Sequence, residues 1–374
     1  MSDAHSDLVS DLVIVGAGIV GLAHAAEAVS RGLSVQIVER DAAAVGASVR
    51  NFGHACVTAQ VGELRDLAES SREGWLAAAS RAGFWAAEAG AVVVARASDE
   101  MGVLEEFAAA EGDAVELLSA EETARRLGRG AHEGDPIRGG ALLTRDLRVD
   151  PRTVVAELAA HLESVGVRIH WRHCVTGIEP GVVRTNRGDV RGERIVVAVG
   201  HDLDHLFPGV ADAHELRRCR LSMALVDAPS LSTDAAVLTA TSMLRYDGMA
   251  QTSAAGEVRA RLERERPELL DVGANVMFTR RPDGTVLVGD SHHYDLATPP
   301  FLDEDVADAL LAEVARVVGG SLRVRQRWQG VYASSPSTPL VRETPMSGVD
   351  VVTVSTGVGM TLAFGLARAT LARM

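Results

Sequence analysis

The sequence predicts an α/β chain: a Rossmann-type nucleotide-binding domain assembled from separated segments, with a mainly antiparallel α+β domain inserted between them. Three observations predict it. A strand, a glycine-rich turn and a helix open the chain within residues 11–31. Two more apolar strands running into glycine, at 195–199 and 351–355, lie in the middle and near the end. Between about residues 216 and 319 the pattern changes to short strands alternating with polar loops.

Each element has a local reason. Residues 11–15 (DLVIV) form a short apolar run suited to a buried parallel strand. Gly16-Ala17-Gly18-Ile19-Val20-Gly21 follows, then an Ala-rich helix over 22–31 that Gly32 ends. Residues 34–38 (SVQIV) make the second strand, closed by Glu39-Arg40. Leu64, Leu67, Ser71 and Trp75 fall on one stripe of a helix over 63–84. A strand at 91–95 and helices at 100–111 and 120–127 come next. Asp150-Pro151 predicts a helix start, with Asp as cap and Pro at the first position. That helix runs to 164 and turns Val155, Leu158 and Leu162 inward. Strands at 167–171, 182–185 and 195–199 lead to Gly200. The insert carries strands at 221–226, 276–280 and 286–288, with Pro282-Asp283-Gly284 as a turn. A helix over 360–372 closes the chain. The nucleotide domain is expected over 1–85, 140–215 and 320–374, and the insert domain over 86–139 and 216–319.

Composition removes several functions. Acidic residues outnumber basic ones 51 to 37, for a net charge of −14, which disfavours nucleic acid as a partner. Every basic residue is arginine, because the chain has no lysine. Pyridoxal Schiff-base chemistry, a Walker phosphate loop and a kinase lysine are thereby excluded. The three cysteines, Cys56, Cys174 and Cys219, form no CxxC pair. Met1–Ser10 is polar rather than signal-like, and no apolar run is long enough to span a membrane. A cytoplasmic protein is expected.

The glycine motif has its full context of strand, helix and distal acid. Gly16 permits the tight turn, Gly18 admits a pyrophosphate to the backbone, and Gly21 lets helix and strand pack closely. Ile19 and Val20, in the turn that leads into the helix, would lie beside the phosphates held at its positive end. Glu39 would accept hydrogen bonds from the ribose hydroxyls and repel a 2′-phosphate, which argues against NADP. It leaves NAD and FAD unseparated.

Downstream motifs separate them by resemblance. Gly46-Ala47-Ser48-Val49-Arg50-Asn51-Phe52-Gly53, residues 195–200, Pro282-Asp283-Gly284 with Val288-Gly289, and Thr356-Gly357-Val358-Gly359-Met360-Thr361-Leu362 occur in the order seen in flavoproteins of the D-amino acid oxidase superfamily. That group includes glycine oxidase and sarcosine oxidase, and the resemblance covers nearly the whole chain. It implies FAD as cofactor. FAD contacts are then expected from the glycine motif, Glu39, Arg40, Ser48, Arg50, Asn51, Phe52 and Gly53. Val175, Ala198, Gly200 and Gly330 join them, with Gly357, Gly359, Met360 and Thr361 closing over the flavin. Arg50-Asn51-Phe52-Gly53, Gly289-Asp290-Ser291-His292 and residues 327–332 (RWQGVY) further resemble a subfamily associated with 2-aminoethylphosphonate catabolism. The sequence departs from that pattern after Gly53, at residues 54–60 (HACVTAQ).

The resemblance implies oxidation of a small amine's C–N bond by hydride transfer to FAD, followed by imine hydrolysis. The carboxylate or phosphonate tail of an amino acid, an aminophosphonate or its N-methyl derivative would be gripped by arginine. Arg245 and Arg327 are the substrate candidates, with Arg50 nearer the flavin. Tyr246 and Tyr332 could bond the amine or its tail, or simply pack. His292 could adjust amine protonation, or cap a loop with His293; His292 and Tyr332 are the catalytic candidates. His54 and Cys56 raise covalent flavin attachment, against a buried thiol beside a noncovalent flavin. His201, Asp202, Asp204 and His205 have metal-like spacing, but no metal is expected. Some sarcosine-oxidase-like relatives use a lysine near the flavin to promote reaction with dioxygen. This chain has none, so dioxygen or another acceptor remains open. Flavin dehydrogenase and non-catalytic flavin-binding module are the alternatives, and the oligomeric state is left open.

Overall fold

Strand β1 (Val9–Val15) is buried on both faces. Leu12 and Ile14 pack among helices on one side, while Val13 and Val15 join a second apolar cluster on the other. A strand covered on both faces needs no polar alternation, which is why it reads as one apolar run. The computed structural model describes residues 9–129 and 135–374. The reading of Met1–Ser10 therefore falls almost wholly outside the described residues.

Helix α1 (Ile19–Ser30) and β2 (Val35–Glu39) complete the βαβ unit. The helix begins inside the glycine motif, three residues earlier than expected. The parallel core runs in the order Arg168–Trp171, β2, β1, Gly188–Val197, Val349–Val354. Val175–Glu179, Val182–Thr185 and Leu340–Met346 extend it in antiparallel fashion. Helices Gly62–Ala82, Val154–Ser164 and Gly359–Leu371 pack with α1 on one face. The expected start at Asp150-Pro151 is a turn instead, and the helix begins at Val154. The Asp150 carboxylate accepts from the Arg152 amide at 3.0 Å and pairs with Arg281 at 3.0 Å.

The second sheet has nine strands, mostly antiparallel. Arg217–Asp227 is its spine. It pairs along its length with Arg323–Ser334, and on its other edge with Val286–Gly289 and His293–Asp295. Met277–Arg280, Ala236–Leu238, Ala91–Ala95, Gly139–Leu143 and Val115–Ser119 continue the sheet. Two expected boundaries move. Gly139–Leu143 and Arg323–Ser334 belong to this sheet rather than to the nucleotide-binding segments. The second was hidden because its first half, Arg323–Arg327, is polar and mostly exposed, and so lacks strand alternation. Helices Ala255–Glu265 and Glu304–Val318 cover opposite faces of the sheet; neither is located individually by the sequence within the α+β insert.

A three-stranded sheet of His54–Ala55, Leu147–Val149 and Ala86–Ala87 sits at the junction. Buried Arg148 ties that junction together by donating to the carbonyls of Gly53, Asp234 and Arg280. A cavity of about 340 Å³ runs between the two large sheets.

Candidate active site

The glycine turn is shaped by close backbone approach. Gly16 has φ +106°, and a Cβ there would lie 2.6 Å from the Ala198 carbonyl oxygen. A Cβ at Gly21 would lie 2.0 Å from the Gly16 oxygen, so α1 can seat on the strand only with glycine. No side chain caps α1 at Gly18. Ile19 N donates to Ser48 Oγ at 2.9 Å, which ties this helix end to the following segment. Glu39 accepts from Ala17 N at 2.8 Å and Asp41 N at 3.0 Å, leaving each carboxylate oxygen a further lone pair toward the cavity. Arg40 is drawn to Asp202 at 2.8 Å, which orders the outer end of the cavity beside His173, Val175 and Gly200.

The middle of the cavity is held by residues 47–53 and 357–361. Asn51 stitches its own turn: Nδ2 donates to Ala47 O and Ser48 O, and Oδ1 accepts from Gly53 N at 2.7 Å. Arg50 lines the wall and donates to Gln329 O at 3.4 Å. Gly357 has φ +78°, and a Cβ there would meet the Tyr332 ring at 2.9 Å. Helix Gly359–Leu371 starts at the cavity without a side-chain cap, so its first amides stay available. Trp75 Nε1 fixes that start by donating to Met360 O at 2.8 Å.

The inner end gathers polar groups from the second sheet. Arg245 Nη2 donates to the Tyr332 hydroxyl at 2.9 Å, and Nη1 to the Tyr294 hydroxyl at 3.2 Å. Among the described residues it forms no ion pair with a carboxylate. Tyr246, Asn275, Met277, Asp290 and His292 share the wall. Burial, with Arg245 nearby, pushes His292 well below the usual histidine range, so its ring is neutral. Burial raises Asp290 to about 7 against the pull of Arg245 and Asn275. It also raises the Tyr246 and Tyr332 phenols well above their usual range.

Most expected residues converge here. Gly16, Gly18, Ile19, Val20, Glu39, Arg40, Ser48, Arg50, Asn51 and Phe52 line the cavity, as do Val175, Ala198, Gly200, Gly330, Gly357, Gly359, Met360 and Thr361. Arg245, Tyr246, His292 and Tyr332 lie at its inner end. Gly21 and Gly53 stand behind the wall and shape it, a Cβ at Gly53 meeting Val149 O at 2.0 Å. Arg327 is a correction. It points away from the cavity and pairs with Glu304 at 3.0 Å. Strand parity is the cause: Arg327 and Tyr332 share one strand at odd separation, so their side chains leave opposite faces.

His54 and Cys56 do line the cavity. With Asp146 they form the group whose ligand-type atoms lie within 4.8 Å of one another. Both Asp146 oxygens are already engaged: Oδ2 with His54 Nε2 at 2.8 Å, and Oδ1 with Val57 N and Thr58 N at 2.9 and 2.8 Å. Burial and Asp146 push the Cys56 thiol up, so it is not a thiolate. The His201 to His205 group is spent on ion pairs instead, Asp202 with Arg40 and Asp204 with Arg218 at 2.8 Å.

Sequence reasoning missed Asp290, Asn275, Met277 and Tyr294 as site residues. Asp290 stood in a quoted motif, beside His292. Asn275, in a loop before a strand, carried no signal.

An uncapped helix start at a glycine turn, a ribose-type carboxylate and an inner polar chamber define a dinucleotide-dependent enzyme. A family model, FAD dependent oxidoreductase (DAO), matches residues 11–373. The chain belongs to that family and is an FAD-dependent oxidoreductase. Glycine oxidase from Geobacillus kaustophilus superposes with TM-score 0.77 at 19% identity, over 97% of this chain and 94% of that one. L-proline dehydrogenase from P. horikoshii gives 0.76 at 15%, over 96% and 91%. FAD-bound L-α-glycerophosphate oxidase from Mycoplasma pneumoniae gives 0.71 at 18%, over 98% and 95%. No curated protein sequence matches this chain at a significant level. Among the described residues, no helix is long and apolar enough to cross a membrane.

Proposed function

We propose that this enzyme oxidises the C–N bond of a small amine that carries an anionic group. The observation that carries the reading is Arg245: a half-buried guanidinium that opens on the cavity and is bonded to two hydroxyls, but has no ion-pair carboxylate partner among the described residues. A desolvated cation of this kind is compensated by an anion, and arginine's planar fork suits a carboxylate or phosphonate.

FAD would be held by the turn at Gly16–Gly21, by Glu39 at the ribose and by the 47–53 and 357–361 segments; it accepts the hydride. The protein binds and orients. Arg245 would fix the anionic tail, with Tyr294 and Tyr332 holding the guanidinium in place. Phe52, Leu221 and Met277 line the chamber with apolar surface and restrict water. The imine product would then hydrolyse to a carbonyl compound and an amine.

The sequence resemblance to the aminophosphonate-associated subfamily supports 2-aminoethylphosphonate and its N-methyl derivative as candidates, beside glycine and sarcosine. Transfer of electrons to an acceptor other than dioxygen is a second reading, favoured by the absence of lysine from the chain. The test is anaerobic bleaching of the purified yellow protein by an amine panel, followed by peroxide assay in air. Bleaching by an anionic amine supports the reading; no bleaching across the panel overturns it. Turnover without peroxide selects the second acceptor reading.

A further inference from the structure

The chamber that holds Arg245 also holds buried acceptor atoms without donors. Asp290 is 3% exposed and Asn275 4%, and both line the cavity. A reciprocal pair of backbone hydrogen bonds, Asn275 N to Asp290 O at 2.8 Å and Asp290 N to Asn275 O at 3.0 Å, sets them directly across from each other. Side chains placed opposite in this way leave the same face. Neither Asp290 Oδ1 nor Asn275 Oδ1 has a hydrogen-bond partner among the described residues.

His292 does not supply one. Its Nδ1 lies 2.9 Å from the Gly273 carbonyl oxygen. A carbonyl only accepts, so Nδ1 carries the hydrogen. In the neutral ring Nε2 then presents a lone pair, 3.9 Å from Asp290 Oδ2. Asp290 Oδ1, Asn275 Oδ1 and the His292 ring nitrogen thus stand along one wall without a donor, while the Asn275 amide serves the Asp290 carboxyl group. An unpartnered buried carboxylate is costly, whereas an ammonium brings three N–H donors.

We propose that Asp290, flanked by Asn275 and His292, receives the substrate's ammonium group and takes from it the proton that must leave before the C–N bond is oxidised. In this step an N–H bond of R–NH3+ breaks and an O–H bond forms on the Asp290 carboxylate. The products are R–NH2 and a neutral carboxyl group, with no electrons exchanged; solvent recovers the proton between turnovers. The inference rests on the amine-oxidation reading. It deepens that reading to a substrate bearing both an ammonium and an anion, met in one chamber by Asp290 and Arg245.

The surrounding groups leave Asp290 as the one that titrates near neutrality. Arg245 stays cationic. Tyr246, Tyr332 and Cys56 are held neutral by burial, as is Cys219, raised to about 11. The Tyr294 hydroxyl is bonded to Arg245, and His292 remains neutral.

The test uses the FAD-loaded enzyme and its Asp290→Asn and Asp290→Glu variants. First, binding of acetate, a carboxylate with no N–H, is followed by the flavin absorbance change against pH. In wild type its affinity should fall as pH rises through about 7, approaching tenfold per unit, because ionised Asp290 repels it. Asp290→Asn should flatten the profile, and Asp290→Glu should restore it. Second, anaerobic flavin reduction by an active amine at pH 7 should slow by about 10²-fold in Asp290→Asn. That variant should recover as pH approaches the free amine's pKa. Identical pH profiles in wild type and Asp290→Asn overturn the proposal. If no amine bleaches the wild type, the amine reading fails, and the acetate profile still decides whether Asp290 titrates in the chamber. If Asp290→Asn does not hold FAD, Asp290→Ala takes its place, and an acetate profile in that variant identical to wild type overturns the proposal.

Discussion

Arg245 donates to the Tyr332 hydroxyl at 2.9 Å, across 87 residues of sequence. The same ring blocks any Cβ at Gly357, so one tyrosine braces both the Arg245 guanidinium and the C-terminal turn.

Replacing Arg245 with Gln should therefore raise KM for an anionic amine on the order of 10²-fold, the scale of a lost charge-assisted contact in a buried site. KM for a neutral amine of the same size should move only a few-fold. Steady-state kinetics with the two substrates checks it, and equal losses on both would remove Arg245 as the anion partner.

Tyr332→Phe keeps the ring against Gly357 but loses the hydroxyl bonded to Arg245. About a tenfold fall in kcat/KM for the anionic substrate is expected, with the flavin spectrum unchanged. An unchanged kcat/KM would show that the hydroxyl does not orient Arg245.

Arg327→Ala should leave substrate KM within about twofold. Its side chain is 25% exposed and its partner Glu304 is 64% exposed, so the pair contributes below ~1 kcal/mol to stability. Chemical unfolding and kinetics on the same preparation test both statements.

Gly21→Ala should yield protein without bound FAD. The added methyl carbon would need the space of the Gly16 oxygen, 2.0 Å away, and α1 would lift from the strand that aims it. Absorbance near 450 nm reports the outcome; a fully yellow variant contradicts the packing argument.

Asp290 also leaves a mark on stability. Its folded-state pKa, about 7, lies above the ordinary value of 3.8, so the native state holds the proton more tightly. The stabilising contribution is complete below about pH 4 and is lost as pH rises through about 7, at up to ~1.4 kcal/mol per pH unit. Unfolding free energies of wild type minus Asp290→Asn, measured from pH 4 to 8, should decline over that window. A difference independent of pH contradicts the assignment.

Legibility followed the range of the interaction. The glycine turn could be read because its requirements are local: Gly16 and Gly21 answer contacts within five residues of themselves or with the adjoining strand. Apolar runs located the parallel strands for the same reason. The strand Arg323–Ser334 was not read as part of the second sheet, because its arginines suppress the alternation that marks a strand. Asn275 gave no sign at all; it becomes a site residue through two backbone bonds to Asp290.

By itself, the sequence determined a glycine-turn dinucleotide motif with a carboxylate at the end of the second strand, FAD through the order of its motifs, and arginine as the sole strong cation. Only the tertiary structure decided which arginine faces the chamber. Arg245 and Arg327 are equivalent as letters, but strand parity turns Arg327 toward Glu304, while the turn after residues 240–243 delivers Arg245 to two tyrosines. Side-chain direction is a property of register and packing. The meeting of Arg245 and Asp290 in one cavity therefore exists only once the sheet has formed.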